Sequence, residues 1–333
     1  MKKRGRLKKR IFGNNGPLVN EVGLGAWQLG GDWQKVDDAT ADAILKSAMD
    51  EGINFIDTAD VYGQGLSEER IGRFLKKHKA SPFVATKLGR FPDPGGDANY
   101  TRDNFRKFTE ASLKRLGVES LDLTQLHCLP FDVLKQGEVF EWLRQLKQEG
   151  KIQRFGASVE SVEEALFCLE QDGLASLQII FNLFRQKPVT ELFEQALEKR
   201  VALIVRLPLA SGVLSGKMET GQTFADEDHR HYNANGECFN VGETFAGIPF
   251  PKAVQLADGL KRIVPEGMTL AQMAQRYILD FDAVSVIIPG ARRPEQVREN
   301  CSASKLPKLG TRMHLDLHKY YLREVADHVR GSY

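Results

Sequence analysis

Cysteine is scarce in this chain. Its four copies, Cys128, Cys168, Cys238 and Cys301, lie far apart and form no C-x-x-C pair. That spacing argues against a structural zinc site or a thioredoxin-type motif and suits a reducing compartment. No run of about 18 apolar residues is present, so no membrane-spanning helix is expected. An excess of either charge is missing as well. The 46 basic and 44 acidic residues leave a net charge of +2, which gives no whole-chain case for a nucleic-acid or membrane partner. The basic run Lys2, Lys3, Arg4, Arg6, Lys8, Lys9 and Arg10 has no apolar segment behind it. It reads as a solvated tail over residues 1–9 rather than a cleaved secretory peptide. These absences point to a cytoplasmic protein.

The rest of the composition is that of a globular chain, 42% hydrophobic and 27% charged over 333 residues. Short β-rich runs alternate with amphipathic stretches. The strand candidates are Val22–Ala26, Asn54–Asp57, Phe83–Lys87, Leu121–His127, Ile152–Ala157, Leu177–Phe181, Ala202–Leu207 and Val284–Ile288. Several are apolar at both alternating positions, as strands buried on both faces are. Helices are expected over Thr40–Glu51, Glu68–Lys77, Asn104–Leu116, Val139–Gln148, Val162–Glu170, Val189–Lys199 and Leu270–Leu279, with a further helix starting at Pro294 and one over 312–330. Gly117, Gly150 and Gly173 are natural stops, and Pro188 is a good first-turn residue.

Eight β-α units in sequence are the arithmetic of a (β/α)8 TIM barrel, which needs roughly 250 residues before insertions. The rival is a doubly wound nucleotide-binding sheet with G-x-G-x-x-G at its first turn. The sequence there, Gly23-Leu24-Gly25-Ala26-Trp27-Gln28-Leu29-Gly30-Gly31, has the wrong spacing. The expectation is therefore one α/β domain over 1–333. An N-terminal hairpin cap covers 10–20 around Asn14-Asn15-Gly16, and a long loop over 209–250 follows strand seven.

Barrel enzymes carry catalytic groups at the C-terminal ends of their strands. The polar residues at those ends here include Asp57, Tyr62, Lys87 and His127. A tyrosine with a reference pKa of about 10 is a poor acid near neutrality. A nearby ammonium should lower that pKa, a carboxylate should hold the lysine charged, and a neutral imidazole can orient a carbonyl oxygen. Such a set donates a proton to an oxygen as negative charge develops there. His314 and His318, and His229 and His231, have spacings that can bind metal, but neither pair has an evident third ligand. No metal is expected. His127 and Cys128 are successive residues and should face apart, which argues against a cysteine nucleophile.

The stretch Asp57-Thr58-Ala59-Asp60-Val61-Tyr62-Gly63, followed by Ser67-Glu68-Glu69, resembles the aldo-keto reductases, and the resemblance runs from about Arg10 to the C-terminal helix. It implies a TIM barrel, an Asp57, Tyr62, Lys87 and His127 tetrad, and NADPH-dependent reduction of a small aldehyde or ketone with Tyr62 as the acid. It also implies that the segment Ile287–Asn300 holds the adenosine end of NADPH or NADP through Gly290, Arg292, Gln296, Glu299 and Asn300. Arginine beside a helix start suits a phosphate in any case. Ser158 and Gln178 are implied at the nicotinamide carboxamide, with Val159 in place of the family's Asn and Asn182 as a substitute. Arg206 replaces a stacking Tyr, and Leu209, Ser211 and Lys217 are candidates along the pyrophosphate. Trp27 and Trp33 are candidate walls of the substrate pocket. The same resemblance admits a cofactor-binding regulatory subunit, like channel β subunits, or an NADP-dependent sugar or polyol dehydrogenase. A closed barrel leaves no sheet edge to cover, so monomer and homo-oligomer are both compatible with it.

Overall fold

The computed structural model describes residues 7–31, 36–91 and 96–333. Strands β1 (Lys9–Ile11) and β2 (Leu18–Asn20) form the expected antiparallel hairpin. Eight further strands follow: β3 (Leu24–Gly25), β4 (Phe55–Asp57), β5 (Phe83–Leu88), β6 (Leu123–His127), β7 (Phe155–Ser158), β8 (Leu174–Ile180), β9 (Ala202–Arg206) and β10 (Val284–Ile287). Each is parallel to the next in chain order. Parallel bridges Val22 to Ile287 and Gly25 to Gly290 bring the last strand round to the first. This is the TIM barrel, and its sequential order excludes the doubly wound sheet.

The barrel interior is filled by side chains from β4, β5, β6, β9 and β10, namely Phe55, Ala85, Leu123, Ala202, Ile204 and Val286. The hairpin plugs its N-terminal end with Phe12, whose ring lies 5.6 Å from Phe55 and 5.1 Å from Phe83. Asp57, Lys87 and His127 stand at the opposite, C-terminal end of their strands.

The outer helices are α1 (Asp38–Glu51), α2 (Leu66–His78), α3 (Arg102–Leu116), α4 (Phe131–Gln136), α5 (Glu138–Gln148), α6 (Val162–Leu169), α7 (Pro188–Glu191), α8 (Phe193–Glu198), α9 (His229–Tyr232), α10 (Phe250–Lys261), α11 (Leu270–Leu279), α12 (Pro294–Ser302) and α13 (Thr311–Tyr320). Some starts are capped by short polar side chains: Asp37 accepts from Thr40 N, Thr101 from Asn104 N, and Thr269 forms a capping box with Gln272. Gly117 ends α3 at φ 70°, as expected of a left-handed stop. None of the described helices is long and apolar enough to cross a membrane.

The helix expected over Val189–Lys199 is broken into α7 and α8 at Leu192, which has φ −124° and ψ −38°. The helix expected over 312–330 keeps α geometry only to Tyr320, then widens into a π turn at Tyr321–Val325 and tightens at Ala326–His328. Helices α4 and α10 were not expected. The long connection after β9 is not bare loop either. It holds a 3-10 segment over Ala210–Ser215, α9 and two short turns before α10 begins.

At the N-terminal end of the barrel a buried carboxylate ties the hairpin to the last β-α unit. Glu21 accepts from Arg10 Nη2 at 2.9 Å and from Ser304 Oγ at 2.8 Å, and Arg276 Nη1 lies 3.5 Å away. Arg10 reaches on to the carbonyls of Phe281 and Val284. Removing one partner of such a pair strands the other charges. Glu21→Gln is expected to lower the unfolding free energy by about 3 kcal/mol, read from the urea midpoint at unchanged slope.

Candidate active site

Asp57, Lys87 and His127 end or nearly end three adjacent strands, and the register places Asp57 opposite Ala85 and Lys87 opposite Gln125. Tyr62 stands in the turn between β4 and α2. The required close approach is met by Gly63 at φ 58°, where a Cβ would lie 2.1 Å from the Gly30 carbonyl oxygen.

Lys87 Nζ donates to Asp57 Oδ1 at 2.5 Å, to the Thr58 carbonyl at 2.8 Å and to Tyr62 Oη at 3.1 Å. An ammonium has three protons, and all three are used. The second Asp57 oxygen accepts from Gln178 Nε2 at 2.7 Å and Gln125 Nε2 at 3.2 Å. Burial opposes the charge on Lys87, but Asp57 and Tyr62 outweigh it and hold the ammonium above its usual range.

Burial also acts on Tyr62, and here it wins. It pushes the phenol up to about 12 despite the neighbouring Lys87. The ammonium does pull this pKa down as expected, but the net shift is upward, because desolvation of a phenolate costs more than one already paired cation returns. His127 is held well below its usual range, by burial first and then by Arg90, Lys87 and Arg206. It is therefore a neutral imidazole, with its ring 5.9 Å from that of Tyr62 at 84°.

Above this group opens a cavity of ≈ 880 Å³. Asp57, Tyr62, His127, Gln178, Arg206 and Trp27 line one end. Leu209, Ser211 and Lys217 line the stretch after β9, and Gly290, Arg292, Gln296, Glu299 and Asn300 the segment after β10. Trp33 lies outside the described residues. Ser158 is on β7 as expected but is buried beneath the lining, its Oγ 3.6 Å from Cys128 Sγ. Val159 is in the apolar core. Asn182 does not reach the cavity, since its side chain holds the Leu207 carbonyl at 2.9 Å and the Phe184 amide at 2.9 Å.

Arg206 is fixed. It donates to the Val159 carbonyl at 2.9 Å and pairs with Glu243 at 2.8 Å. Burial disfavours its charge, and Glu243 more than restores it. Glu243, with Arg90, Arg230 and Gln28, is a lining residue that the sequence reading missed. Arg230 stands in the run His229–Asn233, whose polar character was the available signal; nothing in the sequence pairs Glu243 with Arg206.

The segment after β10 places Arg292 and Arg293 in the cavity lining just before a helix start. Arg292 N donates to Gln296 Oε1 at 2.7 Å, and Asn300 Nδ2 reaches the Gly290 carbonyl at 3.3 Å. At Gly290 a Cβ would lie 2.3 Å from Gln28 Oε1, so the Gln28 amide lies directly against this glycine. Trp27 stacks on Tyr62 at 5.9 Å and packs on His229 at 5.0 Å, which makes His229 a packing residue of the pocket wall. His314 and His318 are helix-packing residues bonded to Asp280 and Gln186.

Residues 21–319 match the Aldo/keto reductase family. The chain belongs to this family. The chain is 30% identical to the solved glycerol dehydrogenase AKR11B4 from Gluconobacter oxydans, with a TM-score of 0.78 and 98% of each chain covered. It is 29% identical to a probable voltage-gated potassium channel subunit beta of Arabidopsis thaliana, over 93% of this chain and 95% of that one. It is 26% identical to the aldo-keto reductase yakc [NADP(+)] of Schizosaccharomyces pombe, over 90% of this chain and 87% of that one.

The depressed pKa of His127 has a consequence for stability. As pH falls through the usual histidine value of 6.5, the unfolded chain takes a proton that the folded site refuses. Stability is thus full above that value and declines below it. A urea-midpoint series is expected to fall less steeply between pH 6.5 and 5 for His127→Gln than for wild type. Parallel declines would contradict a neutral buried imidazole.

Proposed function

We propose that the protein reduces aldehydes or ketones to alcohols with NADPH, and that Tyr62 is the general acid. The observation that carries this reading is the Tyr62 hydroxyl. Its oxygen accepts from Lys87 at 3.1 Å, so its own proton is free to be given into the cavity, beside the neutral His127. A phenol pushed up to about 12 is protonated at neutral pH but is a weak acid, so donation depends on the basicity that the carbonyl oxygen gains as hydride arrives and on the charge of Lys87 beside the phenolate left behind.

NADPH when bound supplies the hydride, which goes to the carbonyl carbon. The protein's part is placement and charge. Tyr62 transfers its proton to the carbonyl oxygen as that oxygen becomes negative, and Lys87, kept charged by Asp57, stabilises the phenolate left behind. His127 holds the carbonyl oxygen without competing for the proton. Gly290, Arg292, Gln296, Glu299 and Asn300 would hold the adenosine end, Arg292 with its planar fork on the 2′-phosphate. Leu209, Ser211 and Lys217 would follow the pyrophosphate. Gln178 and Arg206 would face the nicotinamide, with Arg206 as a fixed cation that disfavours the oxidised ring.

The likeness to a glycerol dehydrogenase supports the reverse reaction on a polyol as a second reading of the same site. The likeness to a channel subunit supports a cofactor-binding role without fast turnover.

Tyr62→Phe is expected to lower kcat for small aldehydes by about 10²–10⁴-fold while NADPH affinity, read by fluorescence titration, is kept. Loss of NADPH binding alone, with kcat intact, would count against Tyr62 as the acid. Arg292→Ala is expected to raise KM for NADPH by about 10–100-fold, the worth of a hydrogen bond to a charged group, and to leave KM for NADH nearly unmoved. Equal effects on both cofactors would remove the 2′-phosphate from Arg292.

A further inference from the structure

Arg90 follows β5, three residues beyond Lys87. Its side chain lines the catalytic end of the cavity together with Tyr62, His127 and Trp27. The other two cations there are matched: Lys87 by Asp57 at 2.5 Å and Arg206 by Glu243 at 2.8 Å. Arg90 has no hydrogen bond or ion pair among the described residues, and its guanidinium carbon lies over the Phe239 ring, 5.7 Å from the centroid. After burial, its charge is the strongest influence against a proton on His127, ahead of Lys87 and Arg206. Arg90 and His127 line the same cavity.

A half-buried guanidinium beside an apolar wall, with no carboxylate bonded to it among the described residues and only the longer-range charges of Glu160 and Glu243 acting on it, can take an anion from outside the protein. The cofactor's phosphates do not supply it, because the cations suited to them, Lys217, Arg230, Arg292 and Arg293, stand on the segments after β9 and β10.

We propose that Arg90 is a specificity-determining residue that selects carbonyl substrates bearing a carboxylate. This rests on the reductase reading above. The carboxylate takes the planar fork of Arg90 in two parallel hydrogen bonds, while Tyr62 and His127 face the carbonyl oxygen. Trp27 and Phe239, 6.1 Å apart between ring centres, flank the carbon skeleton between the two polar ends. One guanidinium matches one negative charge. A phosphate monoester would bring a second, and Glu160 and Glu243 already lie within electrostatic reach of Arg90. A carboxylate is therefore the better fit.

The test compares NADPH consumption with 4-carboxybenzaldehyde and with its methyl ester, for wild type, Arg90→Leu and Arg90→Lys. Wild type is expected to prefer the acid by about tenfold or more in kcat/KM, through KM. Arg90→Leu is expected to lose that preference, and Arg90→Lys, which keeps the charge without the fork, to retain part of it. NADPH titration of each variant reports that the barrel and its cofactor site are folded. A wild type that turns over the ester as well as the acid, or a preference that survives Arg90→Leu, overturns the role of Arg90 and leaves the reductase reading standing. Tight NADPH binding with no turnover of either aldehyde overturns both.

Discussion

The buried pair between Asp57 and Lys87 is the interaction on which the site depends. Two opposite charges at the mouth of an apolar barrel are costly to desolvate, and they persist only if their remaining protons and lone pairs are met. Here Gln125 and Gln178 complete the carboxylate, and the Thr58 carbonyl and Tyr62 hydroxyl complete the ammonium. The parallel register of β4, β5 and β6 sets these side chains side by side. Because Lys87 spends its last proton on Tyr62, the orientation of the phenol is decided by the same pair that decides its charge environment.

The second constraint comes from the long connection after β9. It returns across the C-terminal end of the barrel and sends Glu243 down to Arg206, while Ser211 Oγ holds the Glu243 carbonyl at 2.9 Å. The same connection packs His229 and Phe239 on Trp27, and Trp27 on Tyr62. The C-terminal segment braces it from outside. Arg330 Nε donates to the Gly247 carbonyl at 2.7 Å, and the buried Arg185 takes the Ser332 carbonyl and the Tyr333 ring. The wall of the pocket is thus held by elements far apart in the chain.

That separation explains what could be read from the sequence. The barrel was legible because its strands are apolar on both faces and its helices carry their caps and stops locally. The gathering of Asp57, Tyr62, Lys87 and His127 was legible because three of them sit at or next to strand ends and Tyr62 in the turn after β4, in a pattern that also resembles a known family. Arg90 carried no such mark, and the partnership of Arg206 with Glu243 depends on a loop path that spacing does not encode. Helix α10 begins where the expected 209–250 loop ends and was not expected; it includes Gly259. The glycine is there because the Tyr320 hydroxyl, bonded to the Leu256 carbonyl at 2.8 Å, lies against it, and a Cβ would come within 2.3 Å of that oxygen. The sign of the Tyr62 shift was misjudged for a related reason. The neighbouring cation is visible in the sequence, and the depth of burial that outweighs it is not.

The most direct test of the account is a single turnover. Enzyme preloaded with NADPH is mixed with excess 4-carboxybenzaldehyde in a stopped-flow instrument, in H₂O and in D₂O, and the nicotinamide absorbance is followed. The account requires one equivalent of NADPH to be oxidised per site, with a slower step in D₂O because the proton comes from an exchangeable phenol. NADPH that remains reduced, or a step indifferent to D₂O, would contradict proton donation by Tyr62 as part of the reaction.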